Sequence, residues 1–287
     1  GEVTDAGAEP TAAGELLRCA ACGDLLPTGA RRCPRDGTRS DERIDPFAGA
    51  ILAGRYRLIA RIGRGGMSSV YLARHVVIDR LSAVKILRSD LTQDSLQRDR
   101  FLREARAVNR LQHENVIEIT DYGETPEGLV FLVMEYVPGD SLLSLVGRGP
   151  IDARRAIDIA CQIAAALGRA HQMNVIHRDL KPDNVILTRR EDGSDHVKLL
   201  DFGIAKVLDA PSLTINRRVF GTPGYIAPEY AIGGELTPQS DLYALGVVLY
   251  ELVTCALPFE ASHVGQLLMK HATQAPTPPR APNPAVS

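Results

Sequence analysis

From residue 55 onward the apolar positions follow a strand period. Tyr56-Arg57-Leu58-Ile59 and the run from Ile62 to Ala73 are rich in β-formers and flank a turn crowded with glycine. Ala83-Val84-Lys85 reads as a third strand. The period then changes. Phe101, Leu102, Ala105, Val108 and Leu111 fall on one face of a helix. Val116–Ile119 and Leu129–Met134 read as two further strands, with Tyr122-Gly123 and Pro126-Glu127-Gly128 marking the turn between them. Past Pro138-Gly139-Asp140 the chain turns helical, and Ile157, Ala160, Ile163, Ala164, Leu167 and Ala170 form an amphipathic stripe. Two short strand-like runs, Asn174–Ile176 and Val185–Leu187, bracket a polar loop. Ser240 to Thr254 is apolar almost all round and reads as a buried helix.

Composition narrows the class. The 287 residues are 45% apolar and 24% charged, which is ordinary for one large or two medium globular domains. The net charge of −2 gives no basic footprint for nucleic acid, and no nucleic-acid partner is expected. The longest apolar stretch, Leu242 to Cys255, contains Glu251 and falls short of a membrane span. No charged-then-apolar start resembles a signal peptide. A cytoplasmic protein is expected, tethered to a membrane only through sequence beyond residue 287. Residues 1–15 have little to bury and read as disordered or as an artificial end.

Three of the five cysteines lie between residues 19 and 33. Cys19 and Cys22 form a Cys-x2-Cys knuckle, able to grip one ion from a single turn, and Cys33 follows after ten intervening residues. The position that would complete a second knuckle holds Asp36, whose carboxylate oxygen is also a zinc ligand. Residues 16–40 resemble a zinc ribbon, with Asp36 or water as fourth ligand; the alternative is a degenerate ribbon with reduced cysteines. So small a unit would draw its folding energy from the metal. Residues 41–53 read as a linker.

The chemistry is densest at His177-Arg178-Asp179-Leu180-Lys181-Pro182-Asp183-Asn184, an acid, a cation and an amide on a loop that Pro182 keeps from becoming a helix. Asp201, seventeen residues past Asn184, adds a second carboxylate in Leu200-Asp201-Phe202-Gly203. Such oxygen groups suit Mg²⁺-assisted phosphoryl transfer. With Gly63-Arg64-Gly65-Gly66-Met67-Ser68-Ser69-Val70, Ala83-Val84-Lys85 and Gly221-Thr222-Pro223 through Ala227-Pro228-Glu229, the order and spacing resemble the protein kinase family, in the form of bacterial relatives of eukaryotic Ser/Thr kinases. The resemblance covers residues 54–280, with 281–287 as a tail.

It implies an α+β, two-lobed kinase fold: a five-stranded small lobe with one helix, and a mainly helical large lobe that is incomplete at its end. It implies ATP with Mg²⁺ or Mn²⁺, and protein substrates bearing Ser or Thr. Asp179 would accept the hydroxyl proton, Asn184 and Asp201 would hold the metal, and Lys181 would contact the γ-phosphate. Lys85, paired with Glu104, would hold the α/β-phosphates. Ile62, Gly63, Gly65, Ser68, Val70, Ala83, Met134, Glu135, Val137 and Ile186 would complete the nucleotide site. Read without the resemblance, Lys85 is a snorkelling strand lysine, Glu104 a solvated acid near Arg100 and Arg103, and Met134 plain core. Arg178 would pair with a phosphate on the segment between Asp201 and Glu229, at Thr214 first and Ser212 second. Thr222 would be structural or would position substrate with Asp179 and Lys181, and Asp241 would anchor the loop backbone. The arginine that pairs with Glu229 in the family is not found. A dimer for trans-autophosphorylation and a protein partner for the ribbon are consistent with this reading. The alternative, a pseudokinase scaffold, normally lacks the Lys, Asp or Asn, and all three are present here.

Overall fold

The computed structural model describes residues 17–18, 25–26, 32–33, 35, 45, 47–65, 68–88, 95–202 and 222–286. The chain divides into two units: residues 1–94 with 120–136, and residues 95–119 with 137–287.

In the first unit, β1 (Leu17–Arg18) and β2 (Leu25–Leu26) form a short antiparallel ladder. The main sheet has six strands: β3 (Ile51–Leu52), β4 (Tyr56–Arg64), β5 (Ser68–His75), β6 (Leu81–Leu87), β7 (Ile119–Glu124) and β8 (Val130–Glu135). Their order is β3-β4-β5-β6-β8-β7. Strand alternation sends Leu58, Tyr71, Ala73, Val84, Ile86, Phe131 and Val133 into one core cluster. Gly123 is required here: a Cβ at that position would collide with the Phe131 ring.

The sheet is wider than the five strands expected. Leu52 is buried in its core and Phe47 packs against it, although both fall in the stretch read as a linker. Gly49 N–H donates to the Leu58 carbonyl and Leu58 N–H to that of Ala50, both at 2.9 Å, so this stretch runs along β4 as an added edge.

In the second unit, α1 (Ser95–Leu111) buries Phe101, Ala105, Val108 and Leu111, the face its period predicts. Strand β9 (Asp140–Ser141) leads into the short helix α2 (Leu142–Val146), capped by the Ser141 hydroxyl. Helix α3 (Ala153–Gln172) is capped by Asp152, whose carboxylate accepts the N–H groups of Arg154 and Arg155. Strands β10 (Val185–Arg189) and β11 (Asp195–Leu199) form a hairpin to which β9 adds. Helices α4 (Pro228–Ala231), α5 (Pro238–Thr254) and α6 (Val264–Thr273) follow, and α3 packs against α5.

Four expectations need correction. Val116 and Ile117 do not belong to β7. Val116 bridges Leu199 and donates its N–H to the His113 carbonyl at 2.9 Å, while Ile117 N–H donates to the Leu199 carbonyl at 3.0 Å, so the stretch bridges to the end of β11. Asn174–Ile176 is not a strand. Asn174 adopts a left-handed φ of 57°, and the N–H groups of Asn174 and Val175 close onto the last carbonyls of α3. The buried face of α3 is Ala156, Ile159, Ile163, Ala166, Leu167 and Ala170, while Ile157 is 53% exposed. Two isoleucines two residues apart cannot share a helix face, and Ile159 takes the inner one. Finally, α5 is not buried all round, since Leu242 is 53% exposed.

Candidate active site

The sheet of the first unit presents a second face opposite its core. Cross-strand register aligns Val70, Lys85 and Leu132 in one row, and Leu72, Ala83 and Met134 in the next. Register partners in antiparallel strands share a face. Four residues expected at a nucleotide therefore lie together: Val70, Ala83, Lys85 and Met134. Lys85 is buried between Val84 and Ile86, an unusual place for an ammonium. Ser68 opens β5 and is buried, and its carbonyl accepts the Gly65 N–H at 2.8 Å. A Cβ on Gly63 would approach Val70 to 3.5 Å, and one on Gly65 would approach the Ser68 carbonyl to 3.5 Å. Both are ordinary contacts, so the chain's own packing does not demand glycine at either position. A ligand passing close to the backbone would. Ile62 is 39% exposed, Glu135 ends β8, and Val137 is buried in the second unit.

In the second unit the 177–184 loop is held from below by one carboxylate. Asp241, on the first turn of α5 and 2% exposed, accepts the N–H of His177 at 2.8 Å and of Arg178 at 2.9 Å. His171 Nε2 donates to the same group at 2.7 Å. Taking two successive N–H groups sustains the left-handed φ of 68° at Arg178.

His177 is fully buried and knits the loop to Asp201. Its Nε2 lies 2.9 Å from the Leu200 carbonyl, which can only accept, so Nε2 carries the hydrogen. Nδ1 is then free to accept the Asp179 N–H at 3.3 Å. Burial pushes the His177 pKa down, against the upward pull of Asp241 and the Leu200 carbonyl, so the ring stays neutral in this role. Its ring lies 4.7 Å from that of Phe202. Leu200 N–H donates to the Asn184 carbonyl at 2.8 Å. Asp201 follows with a left-handed φ of 40°, a strained conformation for a residue other than glycine.

Two side-chain contacts involve the 177–184 loop. Asn184 Nδ2 donates to the Asp179 carbonyl at 2.8 Å and to its carboxylate at 3.1 Å. Lys181 Nζ donates to the Thr222 hydroxyl at 3.1 Å. Ile186 on β10 is half-buried beyond them. Asp179, Asn184 and Asp201 offer hard oxygen atoms of the kind Mg²⁺ prefers. Desolvation lowers the Arg178 pKa from its ordinary value, with Asp241 and Tyr230 acting against it.

Several expected residues fall outside this description. The Glu104 side chain, Ser212, Thr214, Cys19, Cys22 and Asp36 lie outside the described residues; Cys33 is described and 2% exposed. Among the described residues, no three His, Cys, Asp or Glu side chains converge as a metal site.

Other functional-looking contacts were not anticipated. Tyr225 donates to Glu251 at 2.5 Å, and burial raises the pKa of both groups. A lone glutamate in the apolar run of α5 was the available signal. Glu229 receives the Ser240 hydroxyl at 2.5 Å, a partner from the first turn of α5 in place of the arginine sought in sequence.

The chain is similar to known proteins. The chain matches the protein kinase domain over residues 56–283. It is 44% identical over 240 residues to the serine/threonine-protein kinase pkn3 of Myxococcus xanthus, covering 82% of this chain and 44% of that protein. It is 41% identical over 283 residues to Pkn1 of the same organism, covering 94% of this chain and 40% of that one. PrkC of Bacillus subtilis is 41% identical over 231 residues, covering 80% of this chain and 35% of its own length. Among solved structures, the Mycobacterium tuberculosis PknI kinase domain superposes with a TM-score of 0.60 at 29% identity, covering 82% of this chain and 84% of that one. This chain belongs to the protein kinase family, with relatives among bacterial Ser/Thr kinases. It spans less than half the length of these curated relatives.

Proposed function

We propose that this chain is a serine/threonine protein kinase that transfers the γ-phosphate of ATP to Ser or Thr hydroxyls of protein substrates, itself included. The reaction consumes ATP and a protein hydroxyl and yields ADP, the phosphoester and a proton. The observation that carries this reading is the ordered polar group on the 177–184 loop: Asn184 on the Asp179 carboxylate, and Lys181 on the Thr222 hydroxyl. Asp179 takes the hydroxyl proton, and Lys181 steadies the transferring phosphoryl group. Lys85, with Glu104, holds the α/β-phosphates over glycines that the fold itself does not require. Asn184 and Asp201 would hold Mg²⁺ or Mn²⁺, which would supply positive charge against the phosphates. Catalysis here is positioning and electrostatics, without a covalent enzyme intermediate.

Thr214 and then Ser212 are the proposed autophosphorylation sites, with Arg178 on the 177–184 loop as the proposed reader of the phosphate. A kinase dimer would allow this transfer in trans. Residues 16–40 form a zinc ribbon on Cys19, Cys22, Cys33 and Asp36 that docks a protein partner. Its support is the spacing of the cysteines, the buried Cys33 and a β1–β2 ladder whose strands flank Cys19 and Cys22 in sequence. The kinase unit proper runs over residues 54–280. A cytoplasmic location fits, and no described helix is long and apolar enough to cross a membrane.

Incubation with γ-labelled ATP and Mg²⁺, followed by phosphoamino-acid analysis and mass spectrometry, tests the proposal. Phosphothreonine and phosphoserine are expected, with label in the 201–229 segment. Label confined to tyrosine, or none at all, would overturn it.

A further inference from the structure

A half-buried carboxylate lies at the root of the glycine turn and outside the region matched to the kinase domain. Asp45 precedes that region by eleven residues. Its side chain is 12% exposed. Oδ1 accepts the Tyr71 hydroxyl at 2.8 Å and the Phe47 N–H at 3.1 Å. Oδ2 lies 3.3 Å from Arg61 Nη1, close enough for an ion pair though not aligned as a hydrogen bond. The Phe47 ring meets the Tyr71 ring edge-on, with centroids 5.9 Å apart.

The two side chains Asp45 engages are themselves partners. Arg61 on β4 pairs in register with Tyr71 on β5. The register slips between Leu58 and Ala60 and again between Arg61 and Gly63, so Arg61–Tyr71 is the last pair before the second irregularity. Beyond it come Gly63–Val70, Arg64–Ser69 and the glycine turn. A two-strand tip past a bulge is free to twist unless its base is fixed. Asp45 fixes that base from outside the hairpin, by joining one residue of each strand. Burial first, and Asp45 second, raise the Tyr71 pKa far above its ordinary range, so its hydroxyl remains a donor at any working pH.

We propose that Asp45 is a positioning residue for the nucleotide: it sets the pose of the glycine turn through Arg61 and Tyr71. This rests on the kinase reading above. Asp45 would touch neither ATP nor substrate. Its loss would loosen the turn and weaken nucleotide binding while leaving the reacting groups of the 177–184 loop in place.

The test uses the full chain and three variants: Asp45→Ala, Asp45→Asn and Tyr71→Phe. Tyr71→Phe removes only a hydroxyl and safeguards the test if Asp45→Ala fails to fold. Asp45→Asn keeps an acceptor for Tyr71 and Phe47 but gives up the charge facing Arg61. Binding of a fluorescent Mg·ATP analogue, the KM for ATP, kcat and the KM for a protein substrate are read together. Asp45→Ala and Tyr71→Phe are expected to weaken nucleotide binding and raise the KM for ATP by about 5- to 10-fold, the scale of one lost buried hydrogen bond. The kcat and the KM for protein substrate should stay within about twofold. Asp45→Asn should fall between wild type and Asp45→Ala. Unchanged nucleotide affinity in Tyr71→Phe and Asp45→Asn would overturn the proposal, as would a fall in kcat with no change in the KM for ATP. A wild-type chain that neither binds nor turns over ATP would instead refute the kinase reading on which it rests.

Discussion

Asn184 places its side-chain amide on the Asp179 carboxylate at 3.1 Å and on the Asp179 carbonyl at 2.8 Å. With both bonds made by Nδ2, Asn184 Oδ1 is the atom left to face a cation. One residue thus orients the proposed base and would offer a metal ligand. Asn184→Ala should lower kcat by at least about 100-fold, the scale of a misplaced base. It should also raise the Mg²⁺ concentration needed for half-maximal rate. A Mg²⁺ titration of the variant checks both; an unchanged Mg²⁺ dependence would separate Asn184 from the metal.

Asp241 is a load carried by a single buried carboxylate, which accepts from two backbone N–H groups and from His171. Asp241→Asn keeps the shape but turns one acceptor into a donor that faces other donors. It should lower the unfolding free energy by about 2–4 kcal/mol. Denaturant unfolding measures this, and a loss below about 0.5 kcal/mol would contradict the anchoring role.

His271 gives a pH dependence with a definite sign. It is 5% exposed, lies between Phe259 and Tyr243, and meets the Tyr243 hydroxyl at 2.6 Å. Burial lowers its pKa from the ordinary 6.5. The unfolded chain therefore takes up the proton first as pH falls, and the stability His271 contributes above 6.5 is lost on the way down through its folded value. His177 acts in the same sense, and Glu251, raised by burial, in the opposite one. The informative quantity is the difference between wild type and His271→Gln. Between about pH 7.5 and about 5.5 the wild type should lose stability more steeply than the variant. Parallel curves would show that His271 does not titrate on unfolding.

Zinc is expected at one equivalent per chain, as for a closed structural site. Elemental analysis of protein prepared without chelator decides it. Less than about 0.2 equivalents of any metal would remove the ribbon assignment. Cys19→Ser with Cys22→Ser should abolish binding without altering ATP turnover by more than about twofold, because these residues are assigned to a separate metal-folded unit.

Legibility in the sequence followed the physics of each signal. The loop candidates Asp179, Lys181, Asn184 and Asp201 were legible as polar groups at fixed offsets. Asp241 was expected as an anchor only through the kinase resemblance, and it accepts the His177 and Arg178 N–H groups. Lys85 was legible as a charge inside a β-run, and cross-strand register then set it beside Val70, with Ala83 and Met134 on the same face. Other features depended on tertiary partners that no local pattern shows. Val116–Ile117 has strand-like composition, yet its backbone bridges to Leu199. Ile157 and Ile159 offered two helix faces of similar apolarity, and packing against neighbouring elements chose between them. Asp45 sat in a polar stretch that reads as linker. Its partners Arg61 and Tyr71 are 16 and 26 residues away, so only the folded sheet reveals the clasp.

The most direct test compares phosphate transfer by wild type, Asp179→Asn and Lys85→Met, with ATP, Mg²⁺ and a Ser/Thr protein substrate supplied in excess. Both substitutions remove groups assigned to chemistry and not to the core, so all three proteins should unfold within a few degrees of one another. The wild type should transfer label to substrate, and each variant should fall by at least about 100-fold. Turnover near the wild-type rate in either folded variant would contradict the account.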